Sequence, residues 1–98
     1  MKHTIIEGEK KFVIEDVGTP NRDVFVTLET PEVSQTHYAG YVLKDGSEHV
    51  AMQEKFIFGE VKHVAAGRTN DRASAVWIVA KRFIYENPDL FMAEEVER

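Results

Sequence analysis

The chain has no cysteine, and this absence excludes several kinds of site before any pattern is considered. Disulfide bridges, thiolate nucleophiles, iron–sulfur clusters and cysteine-ligated zinc all need sulfur from that residue. Four histidines are the nitrogen ligands that remain. No two of them have the H-x-x-x-H or H-E-x-x-H spacing that places both imidazoles on one face of a helix. We therefore expect no metal site.

The sequence also lacks the common motifs of nucleotide-binding proteins, serine hydrolases and membrane proteins. The six glycines are scattered, and none begins a phosphate-binding loop that ends in G-K-[ST]. None of Ser34, Ser47 and Ser74 lies in the G-x-S-x-G turn of a nucleophilic serine. The chain also lacks an apolar run long enough for a signal peptide or a membrane span. The expectation is a cytoplasmic protein that is not an enzyme, binds no cofactor and does not associate with membranes.

The composition indicates one small folded unit with an acidic surface. Hydrophobic residues make up 43% of the 98 residues and charged residues 30%, both near the averages for globular domains. Twelve basic and seventeen acidic side chains give a net charge of −5, a field that repels phosphate backbones. We expect a single domain over 1–98, with a β-rich part at 1–66 and a helical part at 70–97.

The first two-thirds of the chain alternates short β-branched and aromatic runs with turn residues, and nothing there repeats at helical spacing. This pattern predicts a small antiparallel sheet of about five strands. Strands are indicated at Thr4–Ile6, Lys11–Val17 and Val24–Thr30. A further strand is expected at Phe56–Ala65, where Gly59 indicates a bulge or a close approach of another backbone.

The clearest local signal is Asp45-Gly46, which lies between two apolar-containing runs and favours a two-residue hairpin turn. That turn sets a register in which Tyr41 faces Val50 and His37 faces Glu54. The same register predicts one apolar, core-facing side of the hairpin, made of Ala39, Tyr41, Leu43, Val50 and Met52.

One helix is predicted at about 71–86, with Asn70 as its N-cap. Apolar residues at helical spacing indicate a buried stripe in which Trp77 is the anchor. The stripe consists of Ala73, Val76, Trp77, Ala80, Phe83 and Ile84. A short second helix is expected after Pro88. The predicted fold class is therefore α+β, with the antiparallel sheet packed by the C-terminal helix.

With Trp77 inward, the opposite face of the helix carries Ile78, Arg82 and Tyr85. Large apolar groups beside an arginine have the composition of protein-binding hot spots. Phe91 and Met92, in the acidic C-terminal segment, extend the apolar set. We predict a non-catalytic interaction module, such as a regulator, inhibitor or accessory subunit, whose partner is another protein or a second copy in a homodimer.

Two other functions stay open on the sequence. In the first alternative, the protein binds nucleic acid through a local basic patch, despite the net negative charge of the chain. The patch lies around the expected junction of strand and helix and consists of Lys62, Arg68 and Arg72. The second alternative is a small enzyme that uses His37 and Glu54 as an acid–base pair, because a carboxylate opposite an imidazole raises its pKa.

Overall fold

Six strands form one antiparallel sheet, and a single helix follows them, in a computed structural model that describes residues 2–7, 10–18, 22–32 and 34–88. Strand order in the sheet equals strand order in the sequence. The elements are β1 (Lys2–Glu7), β2 (Lys10–Asp16), β3 (Val24–Glu29), β4 (Ser34–Asp45), β5 (Glu48–Ile57), β6 (Glu60–Thr69) and α1 (Arg72–Glu86).

The predicted α+β class, with an antiparallel sheet and a C-terminal helix, is confirmed. The expected count of about five strands is wrong, since the described residues form six. The expected strand at Phe56–Ala65 is divided between β5 and β6, because Gly59 lies in the turn that joins them rather than in a bulge. The expected second helix, with Phe91 and Met92, lies outside the described residues. Within the described ranges, the helix lacks the length and apolar character needed to cross a bilayer.

The sheet buries one side of its central strands against α1. On β3, Val24, Val26 and Leu28 are fully buried, while the residues between them are partly exposed, as the two-residue period of a strand requires. Phe12 and Ile14 extend the same core onto β2.

The hairpin between β4 and β5 turns at Gly46-Ser47, so the predicted turn at Asp45-Gly46 is one residue too early. Gly46 has a φ of +63°, which suits glycine at the first central position of a two-residue turn. The shift moves the register by two residues. Tyr41 consequently pairs with Met52, not with Val50.

A bulge in β4 changes which side of the hairpin faces the core. Pairing with β3 skips Ala39, and Gly40 has a φ of +154° beside the carbonyl of Met52. Ala39 and Val42 therefore both join the core against α1. The predicted core side is wrong for Leu43, which is exposed.

The helix is also rotated from its predicted orientation. The buried residues are the small side chains Ala75, Val76, Val79 and Ala80, which let the helix backbone approach the sheet closely. Trp77 lies at the border and is 36% exposed, so it is not the anchor of the core.

The helix ends have side-chain caps. The N-cap is Asp71, one residue after the predicted Asn70, and its carboxylate accepts a hydrogen bond of 2.7 Å from the Ser74 amide. That bond lowers the pKa of Asp71. At the other end, the side chain of Asn87 donates to the Phe83 carbonyl, and Pro88 follows.

Candidate interaction surface at the β5–β6 tip and the adjoining cleft

The tip of the β5–β6 hairpin exposes apolar side chains on a narrow projection. Every residue from 56 to 63 is exposed. Phe58 is fully exposed and Phe56 is 75% exposed, with Ile57 and Val61 beside them. The two phenylalanines alone present roughly 300 Å² of aromatic surface, which reaches the size of functional patches. We call these four residues the tip.

The turn at the tip holds Phe58 in a conformation that phenylalanine rarely adopts. Phe58 has a φ of +51° and Gly59 a φ of +79°, the pair of positive angles typical of a type I′ turn. Asparagine or glycine normally occupies the first of these positions, because a bulky side chain there costs roughly 1–2 kcal/mol. Phe58 is therefore strained and also gains no burial within the monomer.

A cleft opens beside the tip, where β4 and β5 diverge. The register of β4 with β5 runs from Asp45 opposite Glu48 to Tyr41 opposite Met52 and stops there. Before Tyr41, β4 pairs with β3, and after Met52, β5 pairs with β6 alone among the described strands. The space between the two strands has a volume of about 480 Å³.

The end of α1 forms one wall of the cleft, and the carboxylate of Glu86 fixes it to β5. Glu86 accepts hydrogen bonds of 3.1 Å from Gln53 and 3.2 Å from Lys55. Burial acts to raise the pKa of Glu86, but these two hydrogen bonds outweigh it and keep the pKa below its usual range. The end of α1 is thereby fixed to β5, and the cleft has a defined shape.

Two tyrosine hydroxyls of β4 make hydrogen bonds to side chains of β5 and β6, and Tyr38 lines the opposite wall of the cleft. Tyr38 donates to the Glu54 carboxylate over 3.1 Å, and burial together with this bond raises the pKa of Tyr38. The Tyr41 hydroxyl lies 2.8 Å from Nδ1 of His63. The predicted pairing of His37 with Glu54 is wrong, because His37 lies near Phe83 on the helix side.

The three predicted binding residues on the helix differ in exposure. Ile78 is partly buried, because it packs against the core and approaches Gly67. Tyr85 is 82% exposed. Arg82 is exposed and donates to Glu86 over 3.4 Å. The helix face therefore presents Arg82 and Tyr85 beside a partly buried Ile78.

The cations of the nucleic-acid alternative are each paired with carboxylates. Lys62 lies 2.9 Å from Glu60. Arg68 lies 2.9 Å from Asp45 and 3.2 Å from Glu48. These pairs leave no excess of positive charge at either side chain.

Arg72 has a structural role. Its guanidinium donates to both oxygens of Asp16, at 2.7 and 2.9 Å, and lies 3.2 Å from Asp23. Asp23 is buried and also accepts from the Val42 amide. We call Arg72, Asp16 and Asp23 the arginine clamp, since it ties the start of α1 to β2 and to the loop that precedes β3.

Comparison with known proteins found no match. No family model, no curated protein and no solved structure matches this chain. The tip and the cleft are therefore the observations on which a function has to be argued.

Sequence reasoning missed the tip because its turn lacks the usual signal. A two-residue hairpin turn is recognised by Asn-Gly, Asp-Gly or Gly-x. Phe58-Gly59 offers only the second residue of that pattern. The signal present in the sequence was the glycine flanked by apolar, β-forming residues on both sides.

Proposed function

We propose that this protein is a non-catalytic cytoplasmic interaction module, and that it binds a protein partner through the tip. The binding surface in this proposal is the tip and not the helix face expected from the sequence. A protein in this role acts as a regulator, an inhibitor or an accessory subunit.

The observation that carries the proposal is Phe58. Its positive φ costs folding energy and its side chain is fully exposed, so the monomer gains nothing from a phenylalanine at this position. Strained and exposed apolar residues of this kind concentrate at binding sites, where burial against a partner repays the loss. Asparagine in the same turn would suit an isolated monomer better.

Charge favours a protein over a nucleic acid as partner. The net charge is −5, and Lys62, next to the tip, already pairs with Glu60. An aromatic tip with balanced flanking charges matches the composition of protein interfaces, whose centres are apolar and poor in charge.

The test places a photo-activatable cross-linking amino acid at Glu60, adjacent to Phe58, in cells that express the protein. We expect a discrete protein adduct from Glu60 that disappears when Phe58→Asn is added. The matched control is Tyr85→Ser, which removes an aromatic side chain that is 82% exposed on the helix and should leave the adduct unchanged. An adduct that persists in Phe58→Asn, or no adduct at all, refutes the proposal.

A further inference from the structure

The edge of β5 that faces the cleft carries backbone hydrogen-bonding groups in a known pattern. In a hairpin with a two-residue turn, the residues flanking the turn form a hydrogen-bonded pair, and such pairs then alternate along the strands. The register places Ile57 opposite Glu60 at the tip. Ile57, Lys55 and Gln53 therefore direct their N–H and C=O groups toward β6.

By the same alternation, Glu54 and Phe56 direct their backbone groups toward the cleft. The β4–β5 hairpin gives the same result independently. Asp45 and Glu48 flank its turn and form a hydrogen-bonded pair, and every second residue of β5 after Glu48, up to Met52, likewise points its backbone groups toward β4. Met52 is the last residue of β5 in that register. Beyond it, the β4-facing edge of β5 at Glu54 and Phe56 borders the cleft.

We infer that an extended segment of the partner protein adds to β5 along Glu54 and Phe56, and that the cleft accommodates it. This inference rests on the proposed function, since it specifies how a protein partner binds beside the tip. Addition of a strand to an open sheet edge is a recurring mode of peptide recognition, in which backbone hydrogen bonds supply affinity and alternate side chains supply specificity. A volume of about 480 Å³ is within the range of ligand-binding clefts.

The side chains on β5 specify the chemistry of the segment. Glu54 is exposed, and the hydroxyl of Tyr38 that donates to its carboxylate does not neutralise its charge. A lysine or arginine opposite Glu54 on the added strand therefore forms a cross-strand pair of opposite charges. Phe56 is exposed, so a β-branched or aromatic residue opposite it gains an apolar pair. Residues facing Glu54 and Phe56 are two apart on a strand. The segment therefore contains a basic and an apolar residue separated by one position.

A second copy of this chain fits the edge less well. Two copies that pair about a two-fold axis centred at Lys55 place this lysine opposite its own equivalent, and an axis centred at Glu54 does the same with two glutamates. An axis centred at Phe56 avoids like charges but places Glu54 opposite Phe58, where it has no cation. Like charges directly opposite each other destabilise a sheet. The charges on β5 favour a different, basic segment.

The test measures binding of fluorescent octapeptides in which lysine and isoleucine flank one threonine, in both orders, to the full chain. The variant Glu54→Pro removes the N–H that faces the cleft, at a position where proline spares the bonds to β6. The matched control Glu54→Ala removes the carboxylate and retains the N–H. We expect Glu54→Pro to bind at least about tenfold more weakly than Glu54→Ala, the effect of one lost hydrogen bond.

A second measurement does not depend on how the proline variant folds. N-methylation of the peptide's backbone amides at alternate positions should abolish binding to the wild type. Equal binding by Glu54→Pro and Glu54→Ala, equal binding of the methylated peptide, or no binding of either peptide overturns the inference. Each of these results leaves the cross-linking test at Glu60 unaffected, so a failure at the cleft is distinguished from a failure at the tip.

Discussion

The arginine clamp makes a prediction that also separates structure from function. Arg72→Met keeps the apolar stem and removes the charge, which leaves the carboxylates of Asp16 and Asp23 without their cation. Breaking a buried ion pair costs about 3–5 kcal/mol. The Arg72 side chain is 38% exposed, although Asp16 and Asp23 are nearly inaccessible, so water screens part of this cost. We expect a loss of about 2–3 kcal/mol at neutral pH in urea unfolding.

The pH dependence of this loss follows from Asp16. The hydrogen bond from Arg72 is the largest influence on the pKa of Asp16 and, against the opposing effect of burial, the pKa is lowered. A lowered carboxyl pKa stabilises the fold above the unfolded pKa, and that stability is lost as pH falls through the folded pKa. The difference between wild type and Arg72→Met should therefore shrink below about pH 4.

The matched control for Arg72→Met is Arg68→Met. Arg68→Met breaks exposed pairs with Asp45 and Glu48 and should change stability little. If Arg72→Met unfolds like the wild type at neutral pH, or if the difference stays constant into acid, then the clamp does not hold α1 as described.

Four further substitutions test three separate parts of the structure. Phe58→Asn should raise the free energy of unfolding by about 1 kcal/mol, because asparagine tolerates the positive φ; a decrease in chemical denaturation would show that the tip supports the fold. Gly40→Ala should cost more than about 2 kcal/mol, because the added Cβ would overlap the Met52 carbonyl and lie 2.7 Å from Cγ1 of Val79; an unchanged melting temperature would contradict the bulge. Trp77→Ala should cost only about 1–2 kcal/mol in thermal unfolding, whereas Val79→Asp should prevent folding; equal effects would mean that the helix orientation is wrong.

The sequence predicted the helix but not its rotation, and the reason is physical. Val76, Ala80 and Phe83 belong both to the expected stripe and to the observed one, so the pattern is compatible with two orientations that differ by less than the roughly 100° between successive residues. The expected orientation follows from the size of Trp77, because burial of the largest apolar side chain is favoured. The close approach of helix and sheet instead selects small residues, and Trp77 lies at the border.

The hairpin between β4 and β5 shows a similar ambiguity. Asp45-Gly46 and Gly46-Ser47 are both acceptable two-residue turns, and they overlap by one glycine. The sequence therefore predicted a hairpin in the right place and left its register undecided. The candidate pair of His37 and Glu54 required that register to continue past Tyr41, where β4 instead pairs with β3 and His37 lies opposite Val26.

The binding site was harder to predict than the fold because it depends on where strand pairing stops. The divergence of β4 from β5 follows from the bulge beside Gly40 and from the long β5–β6 hairpin, each of which is marked in the sequence only by a single glycine. Phe56 borders the cleft that this divergence opens, and Phe58 lies in the turn at the end of the β5–β6 hairpin. Apolar residues in a strand-like run predict burial, and only the three-dimensional arrangement shows that these two lack it.

The central claim is that Phe58 serves binding at the expense of folding. The most direct test compares two quantities in the same Phe58→Asn sample: the free energy of unfolding and the yield of the Glu60 cross-linked adduct relative to the wild type. We predict a more stable protein whose adduct falls to background. A variant that loses stability, or one that retains the full adduct yield, would contradict the claim.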